Sequence, residues 1–139
     1  MSNQELLSKL VFSGPKEDIE LYNQTAEAVA KALIPNEGTP REYKDANKPT
    51  QLRRFFDELT LWHQRTRDCS DEQFQTILPR IKMMKAKVAY AKGRKHVDDF
   101  FYDVFKKMID PMSSKQELDR AKLFFEAVLG FSKMHNPKK

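Results

Sequence analysis

Apolar residues recur at spacings of three and four along most of the chain, which is the period of amphipathic α-helices, and no segment shows the alternation of a half-buried strand. After a short opening helix and a break at residues 13–15, the pattern predicts a first long helix from about Pro15 to Leu33. Pro15 suits a first turn, and Glu17 and Asp18 favour the positive end of a helix. Its expected buried stripe is Ile19, Tyr22, Ala26, Val29 and Leu33.

Four more helices are expected along the rest of the chain. They fall at about residues 49–67, at 70–95 with a kink or restart at Pro79, at 97–109 and at 113–134. Serines supply the expected N-caps, Ser70 for the third helix and Ser113-Ser114 for the fifth, with Gln116 or Glu117 completing a capping box. The residues expected to face the core are Leu52, Phe55, Phe56, Leu59, Trp62 and Thr66, then Ile77, Ile81, Met84, Val88 and Ala91, then Val97, Phe100, Phe101, Val104, Phe105, Met108 and Ile109, and finally Leu118, Ala121, Phe125 and Val128.

The sequence therefore predicts an all-α fold, a compact bundle of about five helices whose short connections make neighbours antiparallel. A chain of 139 residues with 40% hydrophobic residues is expected to form a single helical domain over residues 1–139. Residues 1–14 are interpreted as an N-terminal extension. Residues 34–48, which are mostly polar and contain Pro35 and Pro40, are interpreted as a mobile loop.

The composition argues against membrane and secreted proteins. No apolar run approaches the roughly 18 residues of a membrane span, and the N-terminus lacks the pattern of a signal peptide. Cys69 has no second cysteine with which to form a disulfide. We expect a cytoplasmic protein without a membrane partner.

The positive charge is concentrated in the middle of the chain. Residues 1–47 carry 5 basic and 8 acidic groups, residues 48–96 carry 12 and 5, and residues 97–139 carry 8 and 7. A local excess of this kind attracts polyanions. Residues 73–97 contain no acidic residue, whereas an ordinary solvated helix mixes the two signs at four-residue spacing. This stretch is therefore predicted to face an anionic partner.

Helical phase arranges the cations of this stretch in two columns beside the core stripe. Arg80, Lys87 and Arg94 share one column at seven-residue spacing, about 10.5 Å apart along the axis, and Lys85 and Lys92 share the other. The alternative is that these side chains merely extend to water from the edge of a core stripe.

Other polar and aromatic residues extend the candidate surface. Tyr90 lies just beyond the first column, where an aromatic ring can stack on a base while cations hold phosphates, or can simply be packed. Lys48, Gln51, Arg53 and Arg54 lie near the start of the second helix, an end that favours anions.

Catalytic and metal-binding patterns are missing from the sequence. The three histidines lack the spacing of a helical zinc site, and the four glycines are too dispersed for a phosphate-binding loop. Asp98, Asp99 and Asp103 cluster at a helix start, where the helix dipole explains them without a metal. We expect no enzymatic activity, no metal and no cofactor.

Three stretches of the chain resemble a known family. Residues 48–58 begin a helix with Thr-Gln-Leu-Arg-Arg-Phe, residues 85–94 read Lys-Ala-Lys-Val-Ala-Tyr-Ala-Lys-Gly-Arg, and residues 124–135 form a more generic helix. Over about residues 45–135 they resemble the small subunit of the type III-A CRISPR–Cas effector, the Csm complex. Phe131 and Met134 depart from this resemblance, because the family more often has tyrosines there.

The resemblance implies a non-catalytic, RNA-binding structural subunit that acts in antiviral defence. Several copies would stack along the crRNA paired with its target RNA, touching other copies, the large signalling subunit and the repeated backbone subunit. It also implies that Gly93 lets the chain turn after the third helix and that exposed side chains such as Leu61, Met83 and Phe131 meet neighbours. By position, the basic contact residues of the family fall on Arg53, Lys87 and Arg94, and further contacts fall on Lys48, Gln51 and Arg54.

Two other functions fit the same charge pattern. One is a basic helical protein that binds DNA, and the other is a protein–protein adaptor whose basic face docks an acidic partner. Charge alone does not separate these alternatives from RNA binding.

Overall fold

A computed structural model describes residues 2–136 as a helical bundle, and that range contains no strand. The helices are α1 (Asn3–Ser8), α2 (Gln24–Ala32), α3 (Pro49–Thr66), α4 (Asp71–Lys82), α5 (Met84–Gly93), α6 (Asp99–Ile109) and α7 (Lys115–His135), and a 3₁₀ turn spans Arg41–Tyr43. The predicted all-α bundle is confirmed.

Of the two predicted serine N-caps, the one at Ser70 forms a complete capping box. At α4, the Ser70 Oγ accepts a hydrogen bond from the Gln73 backbone N–H at 3.1 Å, and the Gln73 Oε1 accepts one from the Ser70 backbone N–H at 2.9 Å. At α7 the box is incomplete. The Glu117 Oε1 accepts from the backbone N–H of Ser113 at 2.7 Å, but the Ser114 side chain caps no backbone N–H.

The first long helix begins later than the sequence predicted. Residues 15–18 are not helical and residues 19–23 form turns, and Ile19, expected in the buried stripe, is 91% exposed. The acidic residues stabilise these turns instead of a helix start, because the Asp18 Oδ1 accepts the Glu20 backbone N–H at 2.8 Å and the Glu20 Oε1 accepts the Asn23 Nδ2 at 3.0 Å. Short polar side chains favour such local bonds over helix continuation. The prediction for Pro15–Leu33 is therefore wrong in its first half.

The predicted restart near Pro79 occurs four residues later, at Met83. Its backbone N–H is shared between the carbonyl oxygens of Pro79 and Arg80, at 3.2 Å each. This tightened turn separates α4 from α5. The acid-free stretch is thus two shorter helices and not one continuous helix.

The core is built around α7, which packs against α2 and α3, while α5 packs against α6. An aromatic cluster joins α3, α6 and α7, with the ring centroids of Phe55, Phe101, Phe105 and Phe125 lying 5.9–6.5 Å apart in the contacting pairs. Such edge-to-face and offset pairs stabilise beyond the burial of their area. All seven core residues expected in the fourth helix are buried.

The opening segment, interpreted as an extension, belongs to this core. Leu6, Leu7, Leu10 and Phe12 are buried. The buried guanidinium of Arg120 fixes the segment, since its Nη1 donates to the Phe12 carbonyl at 3.1 Å and to the Gly14 carbonyl at 2.8 Å.

The loop expected at residues 34–48 is anchored at its end, where Ala46 and Asn47 are buried. Its predicted mobility stays a prediction.

Candidate nucleic-acid interface

The lysines on both sides of α5 are ion-paired with neighbouring helices. We call Lys85, Lys87 and Lys92 the lysine flanks. The Lys87 Nζ lies 3.0 Å from both carboxylate oxygens of Glu58 in α3. On the other side of α5, the Lys85 Nζ lies 2.8 Å from the Asp110 Oδ1 and the Lys92 Nζ 3.2 Å from the Asp99 Oδ1.

The two pairs on the α6 side stabilise the charged form of their lysines. Hydrogen bonding to Asp110 raises the pKa of Lys85, and hydrogen bonding to Asp99 raises the pKa of Lys92. The missing acidic partners of this helix therefore come from other helices. The absence of acids within a stretch of sequence does not leave its cations unpaired.

The outward face of α5 carries no charge between the flanks. Ala86, Ala89, Tyr90 and Gly93 are exposed there, opposite the buried residues of the helix. The predicted columns of cations thus lie at the edges of α5, and its ridge is formed by small residues and one aromatic ring.

A cleft of about 410 Å³ lies where the start of α3 meets the end of α5, and we call it the α3–α5 cleft. Three residues predicted for the site meet in it, Lys48 and Gln51 from the start of α3 and Arg94 from the end of α5. Its other lining residues are Glu42, Asp45, Thr50, Lys95 and His96.

Asn47 holds the two walls of this cleft together. Its backbone N–H donates to the His96 carbonyl at 2.9 Å, its Nδ2 donates to the Leu33 carbonyl at 3.0 Å, and its Oδ1 accepts from the Asp98 backbone N–H at 3.2 Å. The residue is 6% exposed and has a φ of 61°, a left-handed conformation that asparagine tolerates better than most residues. The backbone of this one buried residue thus joins the start of α3 to the turn after α5, and its side chain joins the same segment to the end of α2 and the start of α6.

The other wall is shaped by the turn after α5. The His96 N–H bonds to the Ala91 carbonyl at 2.9 Å and the Lys95 N–H to the Lys92 carbonyl at 3.0 Å, which is the Schellman pattern of a helix end. Its left-handed residue is Lys95, with a φ of 64°, while Gly93 keeps a negative φ within the helix. The role assigned to Gly93 in this turn is therefore wrong, and Lys95 has it.

The cations of the cleft lack the pairing found along the flanks. In the portion of the chain that the structure describes, no carboxylate lies within ion-pair distance of Lys48, Arg94 or Lys95. The Arg94 Nη1 donates to the Tyr90 Oη at 3.2 Å, and the Lys95 Nζ donates to the Tyr43 Oη at 3.3 Å.

The start of α3 adds one backbone donor to these cations, the Thr50 N–H, because Pro49 has no N–H and the Gln51 N–H already bonds to the Lys48 carbonyl at 2.9 Å. Lys48 is the N-cap, and its side chain makes no capping bond. The first turn of a helix exposes N–H groups at the positive end of its dipole, which favours anions.

The remaining predicted residues lie outside the cleft. Arg53 and Arg54 are exposed on α3, Arg80 is exposed on α4, and Tyr90 lies one helical turn before Arg94. The sequence prediction missed Lys95 and His96 as lining residues, although both directly follow Arg94. This adjacency was the only sign of them in the sequence. Helical phase gives no direction for side chains beyond the end of a helix.

Metal-binding chemistry is missing from residues 2–136. This range holds no group of three or more histidine, cysteine or acidic side chains able to bind a metal. Two members of the aspartate cluster have structural partners, because the Asp98 Oδ1 caps the Phe101 N–H at 2.9 Å and Asp99 pairs with Lys92. No helix between Ser2 and Asn136 has both the length and the apolar character that a membrane crossing needs.

Comparison with known proteins identifies the family. The family described as Csm2 Type III-A matches residues 16–138, nearly the whole chain. No curated protein and no solved structure matches the chain. The match includes every residue of the α3–α5 cleft and leaves out α1. The chain therefore belongs to the Csm2 family, whose members are structural subunits of the type III-A CRISPR effector complex.

Proposed function

We propose that the chain is a non-catalytic subunit that binds the backbone of the crRNA and its paired target RNA within this complex. The observation that carries the proposal is the α3–α5 cleft, where Lys48 and Arg94 meet without a paired carboxylate among residues 2–136. As part of the proposal, the subunit acts in antiviral defence in the cytoplasm and needs no metal or cofactor of its own.

The cleft is suited to phosphate rather than to a base sequence. Lys48, Arg94 and Lys95 offer three positive charges against the carboxylates of Glu42 and Asp45, and the first turn of α3 adds the Thr50 N–H as a donor. Contacts of this kind position a nucleic acid without reading its sequence. Specificity would come from pairing of the crRNA with its target.

The proposed surface extends from the cleft along α3 through Arg53 and Arg54, which are exposed and free of ion pairs within residues 2–136. The lysine flanks contribute to this surface differently. Lys87 is 54% exposed but must exchange Glu58 for a phosphate before it can bind RNA. We therefore assign the flanks a structural role first, and we rank the cleft above the Arg80, Lys87 and Arg94 column.

The proposal also includes bridging between subunits. Leu61 on α3 is 41% exposed, and Met83 at the break between α4 and α5 is 63% exposed. Their exposure makes both side chains available to neighbouring copies, the repeated backbone subunit or the large signalling subunit. Phe131 is less available, because it is partly buried against the core.

The test replaces Lys48 and Arg94 with alanine in a reconstituted effector complex. Target-RNA affinity is then measured between 50 and 200 mM salt, the range over which phosphate contacts are most evident. We expect weaker binding that is similar for unrelated guide–target sequences. We also expect a salt dependence whose slope falls by about 0.7–0.9 for each phosphate that the variant no longer neutralises.

A matched control removes the same charge elsewhere. Lys16 and Lys31 are exposed and make no ion pair among the described residues, so Lys16→Ala with Lys31→Ala should leave the affinity unchanged. Unchanged affinity and slope for the cleft variant, in a complex that assembles normally, would overturn the proposal. Competition by duplex DNA as strong as that by duplex RNA of equal length would favour the DNA-binding alternative.

A further inference from the structure

Tyr90 differs from every other aromatic residue of the chain in its exposure. All ten phenylalanines, the other three tyrosines and the single tryptophan are buried or partly buried, whereas Tyr90 is 67% exposed. A large aromatic ring in water is unfavourable because its apolar surface stays hydrated. Packing within the chain therefore does not explain this side chain.

The surroundings of the ring leave most of it exposed. The Arg94 Nη1 bonds to the Tyr90 Oη at 3.2 Å, and the guanidinium carbon lies 6.0 Å from the ring centroid, so arginine engages the edge of the tyrosine at its hydroxyl. Of the four helix positions one turn away, Ala86 and Gly93 have almost no side chain to cover the ring. The long side chains at the other two positions bond elsewhere, Lys87 to Glu58 and Arg94 to the Tyr90 hydroxyl.

Gly93 has no structural reason to be glycine. Its φ is not positive, and a Cβ added there would meet no atom within 4 Å. Glycine lowers the stability of a helix relative to alanine, yet neither a turn nor a close contact requires it here. The space beside Tyr90 is thus kept open on the ridge of α5.

Arg94 connects this ring to the α3–α5 cleft. Its guanidinium is bonded to Tyr90 and it also lines the cleft with Lys48 and Lys95. A cationic groove beside an exposed aromatic ring is the arrangement by which proteins hold an unpaired nucleotide, with the base on the ring and the phosphate among the cations.

We propose that Tyr90 stacks on one unpaired nucleobase of the bound RNA, in the open space beside Gly93, while Arg94 holds both the tyrosine edge and the adjoining phosphate. The inference rests on the proposed function, because it assumes that RNA enters the cleft. The ligand is a base that is free of Watson–Crick pairing, since a base inside a duplex offers no face to a protein ring. Any of the four bases fits, because each has a π-face.

The experiment uses photocrosslinking in the reconstituted complex. 5-Iodouridine is placed at one position of the crRNA or target RNA at a time, and long-wavelength irradiation links it to an aromatic ring on which it stacks. We expect crosslinks at a restricted set of positions, with mass spectrometry locating the link at Tyr90. Tyr90→Phe should keep these crosslinks and Tyr90→Leu should lose them.

Gly93→Ala supplies a variant that folds at least as well. It should raise the melting temperature of the free chain, because alanine favours helix, and should lower crosslinking at the same positions because its methyl group occupies the space of the base. In binding assays with an unpaired nucleotide, Tyr90→Leu should weaken affinity on the order of 10-fold. It should have no effect when that nucleotide is abasic.

The outcomes separate this inference from the proposed function. If Lys48→Ala with Arg94→Ala weakens RNA binding but no crosslink maps to Tyr90, stacking is wrong and backbone binding stands. If crosslinks at Tyr90 persist while the cleft variant binds normally, the proposed phosphate site is wrong. If Tyr90→Leu instead releases another protein subunit and changes no RNA crosslink, the ring is a protein contact and the inference is overturned.

Discussion

Cationic side chains occupy both the lysine flanks and the α3–α5 cleft, but their surroundings differ. Along the flanks, each lysine meets a carboxylate of α3 or of the α6 region at 2.8–3.2 Å. In the cleft, Lys48 and Arg94 meet none among residues 2–136, and the left-handed backbone of Lys95 carries a further cation into the same space. Arg94 and Lys95 of the cleft directly follow the flanks in sequence and are also basic, so the difference in pairing comes from tertiary packing.

This difference indicates where binding energy for an anion is available. A paired lysine must leave its carboxylate before it binds a phosphate. The free energy gained is therefore only the difference between its interactions with the two anions. An unpaired cation at an uncapped helix start gives up only water. Charge density along the sequence therefore overestimates the binding capacity of the flanks.

The largest expected effect comes from breaking the support of the cleft with Asn47→Ala. The substitution leaves the Leu33 carbonyl and the Asp98 N–H without their partner and places alanine in a left-handed conformation. We expect a loss in the free energy of unfolding on the order of 3 kcal/mol, measured by urea denaturation. Asn47→Gly, which tolerates the backbone, should recover about 1 kcal/mol of this loss. Equal stability of the two variants would show that the left-handed backbone of Asn47 is not strained.

A second prediction concerns Lys95, the left-handed residue that lines the cleft. Lys95→Gly should raise the free energy of unfolding by about 1 kcal/mol because it relieves the backbone, while weakening RNA binding because it removes a cation. Lys95→Asn serves as a control, since it also removes the charge but relieves less strain. The two variants should bind RNA equally weakly and differ in thermal stability. Full RNA affinity in both would exclude Lys95 from the binding surface.

The helices were predictable wherever local patterns and tertiary packing agree. The bounds of α3 and α6, the Ser70 cap and the buried stripe of α6 follow from apolar spacing and capping residues. The prediction of the first long helix was wrong in its first half, because acidic residues between 17 and 20 bind nearby side chains and backbone groups in turns. Helix-start preferences and turn preferences share the same short polar residues, so composition alone did not separate them.

The candidate site was predictable in some of its members and not in its grouping. Lys48, Gln51 and Arg94 were found from charge and helix position. Their meeting depends on Asn47, whose side-chain hydrogen bonds reach partners that lie 14 and 51 positions away in the sequence. Likewise, nothing in the stretch from 73 to 97 indicates that Glu58, Asp99 and Asp110 lie beside its lysines. Partners that are distant in sequence leave no periodic signal.

A third prediction tests whether the flanks are structural. Lys87→Met removes the charge and keeps the apolar stem, and Glu58→Gln removes the opposite charge while retaining an acceptor for the Trp62 Nε1, which now donates to the Glu58 Oε2 at 3.2 Å. A double-mutant cycle should give a coupling of about 0.2–1 kcal/mol, as for exposed pairs. Lys87→Met should change target-RNA affinity less than Arg94→Ala does. A larger loss of affinity in Lys87→Met than in Arg94→Ala would show that the flanks belong to the binding surface.

The smallest expected effect is the pH dependence of the pairs on the α6 side of α5. The pKa values of Lys85 and Lys92 are raised above the ordinary 10.5 by Asp110 and Asp99. A lysine whose pKa is higher in the folded state binds its proton more tightly there, so its contribution to stability is complete below the ordinary pKa and is lost as the pH rises through the folded value. The free energy of unfolding should therefore fall between about pH 10 and 12 more steeply in the natural protein than in Lys85→Met with Lys92→Met. The difference between the two curves reports on these pairs. Parallel curves would mean that Asp99 and Asp110 do not hold these lysines in solution, and the contrast between the paired flanks and the unpaired cleft would then disappear on that side of α5.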